Sequence, residues 1–78
     1  MLSGQLVEYL ARRLVEHPDQ VTVEETEEDG ALVLRLRVAP EDVGRVIGRG
    51  GRIARALRIL ARTSGARDNR RVQLEILD

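Results

Sequence analysis

Three glycines and three arginines stand together in the segment VIGRGGRIARAL, residues 46–57, where the apolar spacing predicts that a helix begins. Helix starts usually carry a Ser, Thr, Asp or Asn cap and acidic residues in the first turn, and this one has neither. The first backbone N–H groups of such a helix are free to bind an anion, and a phosphate there would offset the unfavourable position of Arg52 and Arg55 near the positive end of the helix dipole. The alternative is a plain helix–turn–helix corner capped by water.

Two other glycine-rich phosphate motifs do not fit this segment. A dinucleotide fingerprint starting at Gly48 needs a glycine at position 53, where the chain has Ile53. That fingerprint also follows a strand, whereas a helix is predicted before Gly48. A Walker loop needs Gly-Lys-Ser/Thr, and the sequence contains no lysine. A tight turn between two helices remains, since glycine permits positive φ and close backbone approach.

The residue types that perform catalysis or bind metals are scarce. The chain has no cysteine and a single histidine, His17, which excludes a Cys/His zinc set and a disulfide. The acidic run at 24–29 lacks the closing Glu of a calcium loop, because position 12 counted from Glu25 is Leu36, so we interpret it as a solvated hairpin. No nucleophile–base pair is visible, and we expect no enzyme activity, no catalytic residue, no metal and no cofactor.

The formal net charge of zero conceals two halves of opposite sign. Residues 1–44 hold ten acids and four arginines, whereas residues 45–78 hold nine arginines and three acids. The neutral total therefore does not exclude a polyanionic partner. Tyr9 is the single aromatic residue, so a stacking platform of the RRM or OB kind is excluded.

The elements that must position the glycine segment follow from periodicity. Leucines at every fourth position predict an amphipathic helix over residues 3–16, which Pro18 ends. Alternating apolar residues next predict strands at about 21–23 and 32–38, joined at the hairpin signal Asp29-Gly30.

The second half of the chain reads as two helices and a strand. Pro40 opens a short helix that runs through Val46 and stops at the glycines. A second helix is predicted over residues 52–63, with Gly65 as its C-terminal stop. Alternation over 72–76 predicts the last strand.

The order α-β-β-α-α-β predicts a two-layer α+β fold in which three helices cover one face of a three-stranded sheet. No linker, repeat or low-complexity segment interrupts the sequence, so we expect one domain over residues 1–78. The apolar runs are too short to span a bilayer and the N-terminal residues lack a signal pattern, which indicates a cytoplasmic protein with no membrane partner.

The run Ile47-Gly48-Arg49-Gly50-Gly51, with an apolar residue two positions later, resembles the Ile-Gly-x-x-Gly motif that lies between two helices of KH domains. The stretches LVEYLARRLVEHPDQVTVEE and VGRVIGRGGRIARALR also resemble the small single-KH bacterial RNA-binding proteins of the KhpA (YlqC) family, and the resemblance covers nearly the whole chain. Gly50 departs from the usual pattern, because a polar or basic residue is common there.

This resemblance implies a type II KH domain with a mixed sheet, and a groove for about four unpaired nucleotides. Carried onto this sequence, Gly48 to Gly51 clamp the RNA backbone, while Val43, Gly44 and Ile47 line the apolar floor under the bases. The family further implies single-stranded RNA as ligand, a larger KH-domain partner protein of the KhpB or Jag type, and roles in RNA chaperoning, post-transcriptional regulation and control of cell elongation and envelope growth.

Arginines around the glycine turn are the expected side-chain contacts of this RNA. Arg45 and Arg49 flank the turn, and Arg52 and Arg55 begin a stripe on the second helix that continues at 58 and 62. The stripe is either an RNA track or a solvated face. Apolar residues of the same helix face the other way on a helical wheel, among them Ile53, Ala54, Leu57, Leu60 and Ala61.

Two further expectations concern protein contacts. Ile59 falls on the arginine face, and with Leu60 it lies far along the helix from the turn, so we predict a homodimer that buries these residues. Arg35 and Arg37 lie on the sheet face away from the helices, toward solvent or a partner. Gly50 and the acidic half also leave open a second hypothesis, a protein–protein adaptor or dimerisation module with a KH fold and little RNA affinity.

Overall fold

The computed structural model describes residues 2–77. Its elements are α1 (Leu2–Leu14), β1 (Thr22–Glu28), β2 (Ala31–Arg37), α2 (Val43–Ile47), α3 (Arg52–Arg67) and β3 (Val72–Leu77), with short 3-10 turns at Pro18–Gln20, Pro40–Asp42 and Arg49–Gly51. The order confirms the predicted α-β-β-α-α-β arrangement, but β1 extends to Glu28, well beyond the predicted strand at about 21–23. Within the described residues, no helix is long and apolar enough to cross a membrane.

The central strand of the sheet is β2, which pairs with both other strands. It runs antiparallel to β1, with Val23 opposite Leu36, and parallel to β3, with Leu34 opposite Leu74. The sheet is therefore mixed, as expected. Asp29-Gly30 forms the hairpin turn between β1 and β2 with both φ angles positive, which matches the twist of the flanking strands.

The core lies between the helices and one face of the sheet. Successive side chains of a strand point to opposite faces, so Leu32, Leu34 and Leu36 of β2 all face the helices. The buried cluster comprises Val7, Ala11, Val21, Leu32, Leu34, Leu36, Val38, Val46, Leu57, Ala61, Val72 and Leu74.

The helix α1 does not bury its leucines as the four-residue spacing suggested. Its fully buried line runs along Ser3, Val7 and Ala11, whereas Leu6, Leu10 and Leu14 are half-buried. Small residues on and beside this line let the helix approach the sheet closely. A Cβ at Gly4, for example, would overlap the carboxylate of Glu25 on β1.

The prediction that Gly65 ends α3 is wrong, because the helix continues to Arg67 and Gly65 is buried inside it. A Cβ at this position would overlap Val72 and lie 2.9 Å from the carbonyl oxygen of Arg70. The glycine is therefore needed for close packing of α3 against β3. The left-handed residue that follows the helix is instead Asn69, where φ is +55°, and the Arg70 N–H donates to the Gly65 carbonyl at 2.8 Å.

Arg35 lies on the sheet face away from the helices, as its alternation predicted, yet it does not point freely to solvent. Its guanidinium donates to Glu28 at 2.6 Å and to Glu75 at 3.0 Å, and it lies 3.8 Å from Glu24. This arrangement lowers the pKa of Glu28, chiefly through the hydrogen bond from Arg35. Two acids of the hairpin, Glu24 and Glu28, thus have Arg35 as an intramolecular partner, whereas Arg37 is exposed.

Leu60 corrects another expectation, since it was placed on the buried side of α3. It is 41% exposed, and beside it Ile59 is 53% exposed. The buried line of α3 instead follows Ala54, Leu57 and Ala61, and Leu60 lies to one side of that line at the rim of a groove between α1 and α3.

Candidate nucleic-acid interface

The glycine segment forms the tight connection between α2 and α3. The short helix α2 ends at Ile47, and the N–H of the following Gly48 donates to the Gly44 carbonyl at 2.9 Å. Positive φ angles then occur at Gly48 (+76°), Gly50 (+65°) and Gly51 (+77°). The predicted glycine turn between two helices is therefore confirmed, and each of these positions needs a backbone conformation that other residues rarely adopt.

The glycines of the turn differ in what a side chain would meet. A Cβ at Gly48 would overlap Cγ1 of Ile53 and lie 2.9 Å from the Ile53 backbone nitrogen. Gly50 and Gly51 have no heavy atom within 4 Å of such a Cβ. The first glycine is thus required for packing as well as conformation, while the other two leave an open surface on which a ligand can approach the backbone.

No side chain caps the start of α3, as the sequence indicated. Gly51 occupies the capping position, and the turn closes on itself through a 3.1 Å bond from the Gly51 N–H to the Gly48 carbonyl. The Arg52 N–H donates to the Arg49 carbonyl in the same way. The positive end of the α3 dipole therefore faces this surface without a neutralising acid.

Arginines beside the turn fall into two groups. Arg49, Arg52 and Arg55 are exposed, and no carboxylate in the described part of the chain lies within ion-pair distance of them. Arg45 instead pairs with Glu16 and lies 3.6 Å from Asp42. The unpaired group retains its full capacity for charge-assisted hydrogen bonds to an anion.

The predicted stripe along α3 is not uniform. Arg58 is half-buried, and its Nε donates to the Leu74 carbonyl at 3.4 Å, so it contributes to packing of α3 against β3. Arg62 is exposed further along the helix. Arg58 therefore interrupts the predicted stripe between the exposed Arg55 and Arg62.

The three residues expected to line an apolar floor, Val43, Gly44 and Ile47, all belong to α2, directly before the turn. Val43 packs against the core and remains half-buried, and Ile47 is also half-buried. Gly44 is exposed, with no heavy atom within 4 Å of where its Cβ would be. The helix α2 therefore offers two half-buried aliphatic side chains and an exposed glycine directly before the turn.

The KH domain of KhpA and KhpB matches this chain over residues 4–76. The chain belongs to the KhpA/KhpB KH-domain family. It is 51% identical to the RNA-binding protein KhpA of Treponema pallidum, over 99% of this chain and 96% of that protein. It is 49% identical to KhpA of Borreliella burgdorferi, over 95% of this chain and 90% of that protein. KhpA of Clostridium acetobutylicum is 45% identical, over 94% of this chain and 97% of that protein.

The KH fold is also found in two crystal structures of Era, one from Aquifex aeolicus bound to GDP·AlF4⁻ and one in complex with MgGDPNP and nucleotides 1506–1542 of 16S ribosomal RNA. Each superposes with a TM-score of 0.66 at 24% identity, over 96% of this chain. The chain spans about 29% of the length of either Era chain. At this identity, the similarity to Era shows a shared fold alone.

In this KH domain, Asp42 fixes the start of α2 against the chain that follows α1. This residue was not identified from the sequence. Its carboxylate is buried and accepts the N–H groups of Glu16 at 3.1 Å and His17 at 3.0 Å. These bonds fasten the chain after α1 to the start of α2. The acid pair before α2 is visible in the sequence, but nothing local distinguishes the buried Asp42 from the exposed Glu41.

Proposed function

We propose that this KH-domain protein binds a short unpaired segment of RNA at the glycine turn and acts as an RNA chaperone or post-transcriptional regulator in the cytoplasm. The observation that carries the proposal is a set of three exposed arginines, Arg49, Arg52 and Arg55, which have no carboxylate partner among residues 2–77 and lie beside the open backbone of Gly50 and Gly51. The names of the KhpA relatives, which describe RNA-binding proteins, support the same ligand.

The proposed binding mode follows from the chemistry of the two surfaces. RNA phosphates lie against the turn, where the dipole of α3 and the guanidinium groups favour negative charge. Unstacked bases rest on Val43, Gly44 and Ile47, and hydrogen bonds to their edges select among them. Aromatic stacking contributes nothing from this aliphatic floor, so the affinity of one domain is modest.

Fluorescence anisotropy with a short unstructured RNA tests the site. The double variant Arg49→Asp/Gly50→Asp should lose binding while the fold survives, because two carboxylates near a helix N-terminus suit the dipole and repel phosphate. The matched control is Gly30→Asp/Arg37→Asp. Gly30 also has positive φ and open space at its Cβ position, and Arg37 is an exposed arginine on the sheet, so backbone strain and charge change are alike.

The control should bind RNA like the parent. Equal binding by the parent and the Arg49→Asp/Gly50→Asp variant, with both folded by circular dichroism, excludes the turn as the site. The salt dependence gives a second measure. Contact with about 2–4 phosphates predicts a slope of log K against log salt of roughly −1.5 to −3, and a salt-independent affinity contradicts the phosphate clamp.

For partners, we propose a second copy of this chain and a larger KH-domain protein of the KhpB or Jag type, with a role in cell elongation and envelope growth. The family resemblance supports these assignments, and the exposed Ile59 and Leu60 offer apolar surface for a protein contact. Size-exclusion chromatography of this protein mixed with the purified KhpB-type protein tests the partnership. A protein that forms the complex but binds no RNA would instead be an adaptor.

A further inference from the structure

The acidic and basic halves of the sequence meet inside the proposed RNA site, at Arg45. The guanidinium of Arg45 binds the carboxylate of Glu16, which lies 29 residues earlier in the chain. Across residues 2–77, no carboxylate pairs with the neighbouring Arg49 or Arg52. Of the described acids near Arg45, Glu16 is therefore the exposed one, since Asp42 is buried.

Glu16 is brought to this position by its own backbone. Its N–H donates to Oδ1 of Asp42 at 3.1 Å, and the following N–H, that of His17, donates to Oδ2 at 3.0 Å. Asp42 is 1% exposed and directly precedes α2, and its Oδ1 lies 3.6 Å from Nε of Arg45. The chain after α1 is thus fixed against α2, with the Glu16 side chain beside Arg45.

A phosphate can replace Glu16 as the partner of Arg45, because the ion pair between them is weak. Both side chains are largely exposed, 66% for Glu16 and 51% for Arg45, so water screens the attraction and the ion pair adds little stability. A phosphate oxygen is an acceptor of the same kind for a guanidinium, so it can replace the carboxylate at Arg45. The displaced carboxylate remains nearby, however, and repels the phosphate.

We propose that Glu16 competes with the RNA backbone for Arg45 and thereby weakens RNA binding at the glycine turn. The inference rests on the proposed function, since the competition requires a phosphate at the turn. Glu16 also directs the RNA: its charge disfavours a phosphate on the α1 side of the turn and leaves Arg49 and Arg52 as the preferred contacts.

The variant Glu16→Gln tests this proposal, because it removes the charge and keeps the shape of an exposed side chain. We expect RNA affinity to rise about two- to fivefold at low ionic strength, the range of an exposed charge interaction. One additional phosphate contact should also make the slope of log K against log salt more negative by about 0.7. Glu8→Gln is the matched control, since Glu8 pairs with Arg12 within α1 at 2.6 Å and its loss changes the net charge equally. The control should change affinity less and leave the slope unchanged.

The same substitution in an Arg45→Gln background separates competition from a general change in charge. If Glu16 acts through Arg45, the gain disappears in that background. A gain of equal size in both backgrounds, or no gain in either, overturns the proposal. When the parent binds RNA and Glu16→Gln binds it equally, this inference alone fails. When neither binds RNA, the proposed function fails with it.

Discussion

Gly48 is fixed by two independent requirements at the scale of a single residue. Its φ of +76° is unfavourable for other residues, and a Cβ would overlap Ile53. Gly48→Ala should therefore lower the free energy of unfolding by about 1–3 kcal/mol. Urea denaturation and thermal melting measure the loss, which corresponds to about 4–8 °C in Tm for each kcal/mol.

Gly44→Ala is the control for this substitution. Gly44 is exposed in α2, its φ is not positive, and no atom lies within 4 Å of its Cβ position. Alanine in a helix is favoured over glycine, so this variant should be as stable as the parent or about 0.5–1 kcal/mol more stable. Equal losses in the two variants would contradict a special requirement at Gly48.

The residue types predicted the glycine turn, but they did not predict which side chains pair beside it. Glycines at 48, 50 and 51 predict positive φ because that conformation is a local property of the backbone. The pairing of Arg45 with Glu16, by contrast, joins residues 29 apart in sequence and depends on how α1 ends beside α2. The burial of the Asp42 carboxylate could not be predicted either, because it follows from tertiary packing.

At the scale of the elements, the sequence predicted the order of helices and strands, but it missed the second half of β1, where the acidic run continues the strand to Glu28. It also failed where one residue type serves two purposes. Glycine often ends a helix, so Gly65 predicted a boundary. In the structure it lets the Arg70 carbonyl oxygen, just before β3, and the Val72 side chain of β3 approach α3 closely. The leucine spacing of α1 likewise predicted a helix correctly, whereas the line that packs on the sheet is set by the small residues beside the leucines.

The open face of the sheet has a pH dependence of its own. Arg35 holds the pKa of Glu28 below its usual value of 4.5, so the unfolded chain takes up this proton at higher pH than the folded protein does. The stabilisation is complete above about pH 4.5 and is lost as pH falls through the lowered pKa of the folded state. Glu28→Gln should therefore reduce stability at neutral pH and flatten its decline in acid.

Urea unfolding between neutral pH and about pH 3 measures this difference. Asp19→Asn is the control, because Asp19 is an exposed acid outside the Arg35 cluster. Its stability curve should keep the acid decline of the parent. A Glu28→Gln curve parallel to that of the parent throughout would show that Arg35 does not stabilise the ionised Glu28.

At the scale of the whole molecule, the exposed apolar residues at the far part of α3 predict self-association. Ile59 is 53% exposed, and Leu60 is 41% exposed beside it. Ile59→Asp places a charge in the proposed dimer contact, so the variant should sediment as a monomer at concentrations where the parent is a dimer. Its melting temperature should also lose the concentration dependence expected of a dimer, while binding of a four-nucleotide RNA survives.

Tyr9→Asp is the control for this interface, since Tyr9 is 60% exposed on α1 and lies outside the proposed contact. It should remain a dimer. A dimer that persists in Ile59→Asp and dissociates in Tyr9→Asp would place the interface on α1 instead.

The parallel pairing of β2 with β3 also has a consequence for how the protein is made. Arg35 and Glu75 lie opposite each other but 40 residues apart, which a ribosome adding about 5–20 residues per second takes about 2–8 s to cover. The hairpin of β1 and β2 can form as soon as it emerges, and during that interval one edge of β2 has no strand beside it. Because an unpaired edge is a template for any other extended chain, the nascent protein is most vulnerable to aggregation before β3 leaves the ribosome.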